Sequence, residues 1–209
     1  AAACLASRKT SKMNHYLDLH LLPDPEFSAA QLMSALFAKL HRALVAQPAL
    51  HIGISLPQAR AGQPPADQQP GAQPYLGQHL RLHGQADALA TLMALPWLSG
   101  MRDHVNPGPI VPAPANAPHR LVRRVQADSN PERLRRRLCK RHTLSEEEAR
   151  QRIPNRAARH LDLPYVQLRS QSTGQHFLLF IDQGDNLPEP RPGGFNRYGL
   201  SQGGSVPWF

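Results

Sequence analysis

The sequence predicts an α+β fold in two unequal halves, and three observations predict it. Short alternating apolar runs are interleaved with two helical stripes up to residue 112; a Pro- and Ala-rich join follows at 106–118; and a single block of basic residues lies beyond that join. With 209 residues and 41% hydrophobic content, the chain is long enough to bury a core. Residues 1–12, AAACLASRKTSK, precede Met13 and lack the apolar run and cleavage site of a secretory signal, so they are expected to be an appended tail outside the fold. Setting them aside leaves Cys139 as the only cysteine, which excludes an intramolecular disulfide or a thiol metal cluster and fits a reducing cytoplasm. No run approaches the roughly 18 apolar residues that span a bilayer, so no membrane partner is expected.

HYLDLHLL (15–22) alternates as a strand does. SAAQLMSALFAKLHRALVAQ (28–47) carries apolar residues at 32, 33, 36, 37, 40, 44 and 45, a helical stripe with Ser28 placed to cap it and Pro48 to end it. HIGISL (51–56) and HLRLHG (79–84) read as paired strands, ADALATLMAL (86–95) as a helix closed by Pro96, and a short strand near 104–111 completes the unit. This is the order of a ferredoxin-like (RRM-like) domain over 13–112, a sheet type that often carries RNA. Residues 57–78, mostly Pro, Gln, Ala and Gly, are expected to form a mobile hairpin insertion without a core of its own.

The remainder, 113–209, is expected to form a smaller α+β domain around a helix at 131–142. Ser129 or Asn130 can cap that helix, Pro131 suits its first turn, and Glu132 suits the positive end of its dipole. TLSEEEARQRI then opens a second helix, with Ser145 and Glu148 at capping-box spacing. The net charge of +9 is concentrated here. Arg120, Arg123, Arg124, Arg133, Arg135, Arg136, Arg137, Lys140 and Arg141 face only Asp128 and Glu132 within 119–142. At 100° per residue, Arg133, Arg136, Arg137, Lys140 and Arg141 fall within an arc of roughly 140°. A solvated helix interleaves acids at i,i+4, whereas 133–142 contains none, so this face calls for a polyanion.

Arg124 and Gln126 are one residue apart in an extended stretch, so their side chains point the same way; Arg reads guanine and Gln reads adenine. On spacing alone that pair is equally an exposed strand face. RSQSTGQHF (169–177) puts hydrogen-bonding groups at the mouth of an apolar strand and by itself reads as a turn. His41, four residues from Phe37, reads by itself as a packed core histidine. His79 and His83 share a strand face with no third ligand in view, so no metal site is expected.

RVQADSNPERLRRRL, LSEEEARQRIP, LDLPYVQLRSQSTGQHF and GGFNRYGLSQGGSVPWF, with MNHYLDLHLLPDPEFSAAQLMSALFAKLH at the amino end, together resemble the repeat-RNA endoribonucleases of type I-F CRISPR systems, the Csy-type members of the Cas six group. The resemblance covers 13–209 and fails mainly at 57–78. It implies a prokaryotic cytoplasmic enzyme that needs neither metal nor cofactor. Such an enzyme cuts CRISPR repeat RNA at the base of a hairpin by attack of a ribose 2′-hydroxyl on the adjacent phosphate. It then keeps the crRNA 3′ hairpin as a subunit of the type I-F surveillance complex.

Carried over by motif, His41 and Ser170 match the catalytic pair and Tyr198 a tyrosine beside it. Arg124 and Gln126 match base-reading residues, Phe177 an aromatic under the lowest base pair, and Arg133, Arg136, Arg137, Lys140 and Arg141 the groove-binding helix. Lys140 stands where the family pattern has arginine, which keeps the charge and loses the fork geometry. The chemistry is consistent: an internal nucleophile needs no metal-activated water, only a base, an acid for the leaving oxygen and alignment. His41 is expected to move a proton, as base toward the 2′-hydroxyl or as acid toward the leaving oxygen, with Ser170 the group that holds the 2′-oxygen and Ser172 and Thr173 phosphate contacts. Two other readings stay open, a non-catalytic hairpin-binding scaffold and a sequence-specific DNA-binding protein.

Overall fold

Strand β1 (His15–Leu21) lies inside the larger sheet of the computed structural model, which describes residues 13–62, 72–126, 131–142, 144–152, 162–170 and 173–209. Its alternation places Leu17, Leu19 and Leu21 in the core. It pairs antiparallel with β3 (His79–Gly84) on one side, and with β4 (Val105–Pro107) and β5 (Val111–Pro112) on the other. β2 (Gly53–Ser55) extends the sheet beyond β3, giving the order β2-β3-β1-β4. The Pro-rich join therefore contributes Val111 and Pro112 to an edge, the position at which proline is tolerated in a sheet.

Helix α1 (Ala29–Ala46) begins where the sequence places it. Ser28 Oγ accepts from the Gln31 N–H at 3.4 Å, while Gln31 Oε1 accepts from the Ser28 N–H at 2.9 Å, closing a capping box. Leu32, Met33, Leu36, Phe37, Leu40, Ala43 and Leu44 are buried against the sheet, and each large side chain contributes about 1.5–3 kcal/mol. Val45 does not join them and is 51% exposed. At 100° per residue it falls about 80° past the arc of the others, a phase that a list of apolar positions does not reveal. α2 (Ala86–Ala94) buries Leu89 and Leu92 and ends before Pro96, where a single 3₁₀ turn follows. Within the 57–78 segment Arg60 and Tyr75 form an antiparallel bridge and Leu76 is buried, while 63–71 lie outside the described residues.

In the second half, β7 (Arg123–Val125), β9 (His176–Asp182) and β8 (Tyr165–Arg169) form a sheet in that order. Short pairs link β6 (His119–Arg120) to β12 (Val206–Pro207) and β10 (Gly194–Phe195) to β11 (Ser201–Gln202). α3 (Pro131–His142) spans the predicted helix, although 129–130, which would cap it, lie outside the described residues. α4 (Glu146–Arg152) follows its capping box, with Ser145 N–H on Glu148 Oε2 at 2.9 Å and Glu148 N–H on Ser145 Oγ at 3.2 Å. Val166, Leu168, Leu179, Ile181, Leu200 and Val206 join the N-terminal residues in one buried cluster. One of the contacts between the halves places β8 on α1 over the small residues Ser34, Ala35 and Ala38, where Ser34 Oγ accepts the Gln167 N–H at 3.1 Å. Among the described residues no helix is long and apolar enough to cross a membrane.

Candidate active site

β8 runs off α1 at its last residue, Arg169, and a concavity of about 380 Å³ opens at that point. His41, Arg42 and Ala38 from α1, Leu168, Arg169 and Ser170 from the end of β8, Phe177 from β9 and Tyr198 line it. Helical phase explains His41. It falls about 40° beyond the buried arc of α1, so its ring is half in the core and half at the cavity.

Two contacts fix that ring. Tyr198 stacks on it with centroids 4.0 Å apart and planes 9° apart, and Phe37 continues the stack 6.1 Å beyond Tyr198. His41 Nδ1 lies 2.9 Å from the main-chain carbonyl of Arg197. A carbonyl only accepts, so Nδ1 carries the proton, and in the neutral ring Nε2 holds the lone pair. Tyr198 is held in turn by the Asn196 side chain, whose Oδ1 accepts the N–H of Tyr198 at 2.8 Å and of Leu200 at 3.1 Å. Gly199 at φ +73° lets this turn close against β2, where its carbonyl accepts the Ile54 N–H at 3.0 Å.

The polar segment forms a tight connection between β8 and β9. Ser170 N–H donates to the Gln175 carbonyl and Gly174 N–H to the Ser170 carbonyl, each at 2.8 Å. The Thr173 N–H reaches Ser170 Oγ at 3.3 Å, and Arg169 Nε bonds the Gly174 carbonyl at 3.1 Å. Gly174, at φ +68°, occupies the left-handed region that the reversal requires. Ser172 lies outside the described residues.

Of the other predicted residues, Arg124 does not line the cavity itself but lies with its guanidinium carbon 5.8 Å from the ring centre of Phe177, which does. Gln126 is exposed one residue past β7. Arg136, Lys140 and Arg141 are exposed on α3; Arg136 and Lys140 line a cleft against α4 beside Glu146, so an acid from the next helix tempers a face expected to be bare. The side chains of Arg133 and Arg137 lie outside those described. Sequence reasoning missed Arg42 and Arg169, although each is the chain neighbour of a residue it selected.

His79 also has neighbours that sequence spacing did not show. The register pairs His20 with His79 and Asp18 with Arg81 across β1 and β3, and ligand-type atoms of Asp18, His20 and His79 lie within 4.8 Å of one another. Both Asp18 oxygens are already engaged. Arg81 Nε and Nη2 reach them at 2.6 and 3.0 Å, and His79 Nε2 is 2.8 Å from Oδ1. Burial pushes the Asp18 carboxyl up, but hydrogen bonds from His79 and Arg81 outweigh it and hold the group well below the usual carboxylate range. His83 is wholly buried, bonds Ser55 Oγ at 2.8 Å, and is pushed down to about 3 by burial and then by the Arg81 charge.

Residues 16–209 match the model of a family described as CRISPR-associated protein (Cas_Csy4). A curated relative, the CRISPR-associated endonuclease Cas6/Csy4 of Pseudomonas aeruginosa (strain UCBPP-PA14), is 57% identical over 197 residues, which is 94% of this chain and 100% of that protein. The protein of the same name from Escherichia coli (strain UTI89 / UPEC) is 45% identical over the same shares. A solved structure described as CRISPR associated protein Cas6 aligns over 94% of this chain and 99% of its own at 13% identity and a TM-score of 0.29.

Proposed function

The chain belongs to the Cas_Csy4 family of CRISPR-associated proteins, and from that premise we propose an endoribonuclease that cuts CRISPR repeat RNA at the base of a hairpin and keeps the hairpin. The observation that carries the mechanism is a single crevice shared by His41, with Nε2 left to accept a proton, and Ser170. In this reading the nucleotide 5′ of the cut places its 2′-hydroxyl between them. His41 Nε2 takes the hydroxyl proton as the 2′-oxygen bonds to phosphorus. The P–O5′ bond breaks, and the departing oxygen takes a proton, leaving a 2′,3′-cyclic phosphate and a 5′-hydroxyl. Ser170 Oγ holds the 2′-oxygen in line, and Thr173 faces the phosphate. Tyr198 acts through His41 as a positioning residue. The nucleophile is internal, so the scheme needs no activated water and no metal.

Phe177 supplies a platform under the lowest base pair, Arg124 and Gln126 reach guanine and adenine edges, and the basic face of α3 follows the phosphates. A-form RNA has a major groove too narrow for most side chains, so a helix enters it only near a loop or helix end, which favours a short hairpin. The succession β1-α1-β2-β3-α2-β4, with strand order β2-β3-β1-β4, supports reading 13–112 as a ferredoxin-like domain and 113–209 as the RNA-gripping domain. Retention of the hairpin is the property that would make the protein a subunit of the type I-F surveillance complex.

Single-turnover cleavage of repeat RNA in excess chelator, with identification of product ends, tests the proposal. A cyclic phosphate and a 5′-hydroxyl are expected. A stable complex holding intact RNA indicates a scaffold instead, and a 5′-phosphate indicates attack by water.

A further inference from the structure

The mouth of the His41 cavity has a cationic wall that the proposed mechanism leaves unused. Arg42 follows His41 on α1, lines the same cavity, is exposed, and has no hydrogen-bond or ion-pair partner among the described residues. Two residues further along the chain, Leu44 borders a second concavity of about 530 Å³, walled also by His51, Phe195, Asn196 and Arg197. Arg197 Nη1 donates to the Leu44 carbonyl at 3.3 Å, which brings its guanidinium to the last turn of α1, close along the chain to Arg42. The His51 and Phe195 rings meet edge to face at 5.2 Å on the wall of this concavity. Cations beside aromatic rings are the features by which single-stranded nucleic acid is held. None of the residues assigned to the hairpin lines this second concavity.

We propose that Arg42, Arg197 and this concavity form the subsite for the RNA strand on the 3′ side of the cut. The proposal rests on the endoribonuclease reading above. Two strands leave the base of the hairpin, but only the 3′ segment is joined to the scissile phosphate, so only its next phosphate must fall beside His41, where Arg42 stands. The same carbonyl that orients His41 belongs to Arg197, which ties the far wall of the subsite to the reacting centre. Cutting severs the strand held here from the hairpin held by Phe177 and α3, so the retained product makes none of these contacts.

The test uses two RNAs: the hairpin ending at the cut, and the hairpin continued by a single-stranded 3′ extension and blocked by a 2′-deoxy sugar at the attacking nucleotide. The full chain is expected to bind the extended RNA about three- to tenfold more tightly than the hairpin. The double variant Arg42→Gln, Arg197→Gln is expected to abolish that difference and to lower the salt slope on the extended RNA by about 1.4, at about 0.7 per phosphate contact. Its affinity for the bare hairpin should not change, and Arg42→Lys, Arg197→Lys should keep the slope. The subsite is overturned if the glutamine variant keeps the advantage of the extended RNA, or if it weakens both RNAs by the same factor. Failure of the wild type to cut the unblocked RNA overturns the nuclease reading, and this subsite with it.

Discussion

Arginine and histidine occur both in the interior of the N-terminal sheet and on the outward faces of α1 and α3, and the two regions use them in opposite ways. Arg81 is 8% exposed and fully engaged: it bonds both oxygens of Asp18, donates to the Phe209 carbonyl at 2.8 Å, and lies over the rings of Tyr16 and Phe209 at 4.6 and 4.0 Å. Beside it, His83 is sealed from solvent. Arg42, Arg136 and Arg141 are exposed instead, and His41 turns one nitrogen to a main-chain carbonyl and the other to a cavity. The lesson is that a charged side chain reveals its role by whether the protein itself completes its contacts. Where it does, the group serves the fold; where it does not, a ligand completes them.

Four measurements test that contrast. The largest effect is expected at His41. His41→Ala should slow single-turnover cutting by about 10²- to 10⁴-fold with hairpin affinity almost unchanged; cutting at the wild-type rate removes His41 from the mechanism. Next comes Arg81→Ala, which takes from the half-buried Asp18 carboxylate its two-point partner and leaves it only His79; it should cost about 2 kcal/mol of stability by denaturant titration while leaving the salt slope of RNA binding as it was.

Acid comes third. The folded state keeps His83 neutral down to about 3, whereas the unfolded chain protonates it near the usual 6.5. Its contribution is therefore complete above about pH 6.5 and declines by up to about 1.4 kcal/mol per unit as the pH falls toward about 3. Asp18, held low, adds a second loss of the same sign below the ordinary range of an aspartate. A stability profile that is flat between pH 7 and about 5 would contradict a sealed His83. Arg136→Ala is the smallest change. It should lower the salt slope by up to about one unit and leave stability within about 0.5 kcal/mol. An unchanged slope would show that Arg136 meets no phosphate.

Much of this was legible in the chain. Apolar spacing, Ser28 and the prolines at 48 and 96 located α1, β2, β3 and α2 to within a residue or two at most ends, because local sterics and capping set those boundaries. The acid-free basic run at 133–142 was legible because charge pattern is a property of sequence itself. Val45 was misjudged because counting apolar positions does not fix their phase. The neighbours of His79 and the Arg60–Tyr75 bridge were hidden because each depends on which strand lies alongside, a long-range fact. The candidate site was legible only through resemblance. By its own spacing His41 reads as core, and it does lie at the core's margin, stacked on a tyrosine 157 positions away.

The partner of His41 Nδ1 is a peptide oxygen, and every amino acid at position 197 would bring one. The feature that selects the reactive tautomer is thus insulated from ordinary coding changes at that position. A substitution there would change the proposed 3′-strand subsite while leaving in place this carbonyl and the tautomer it selects.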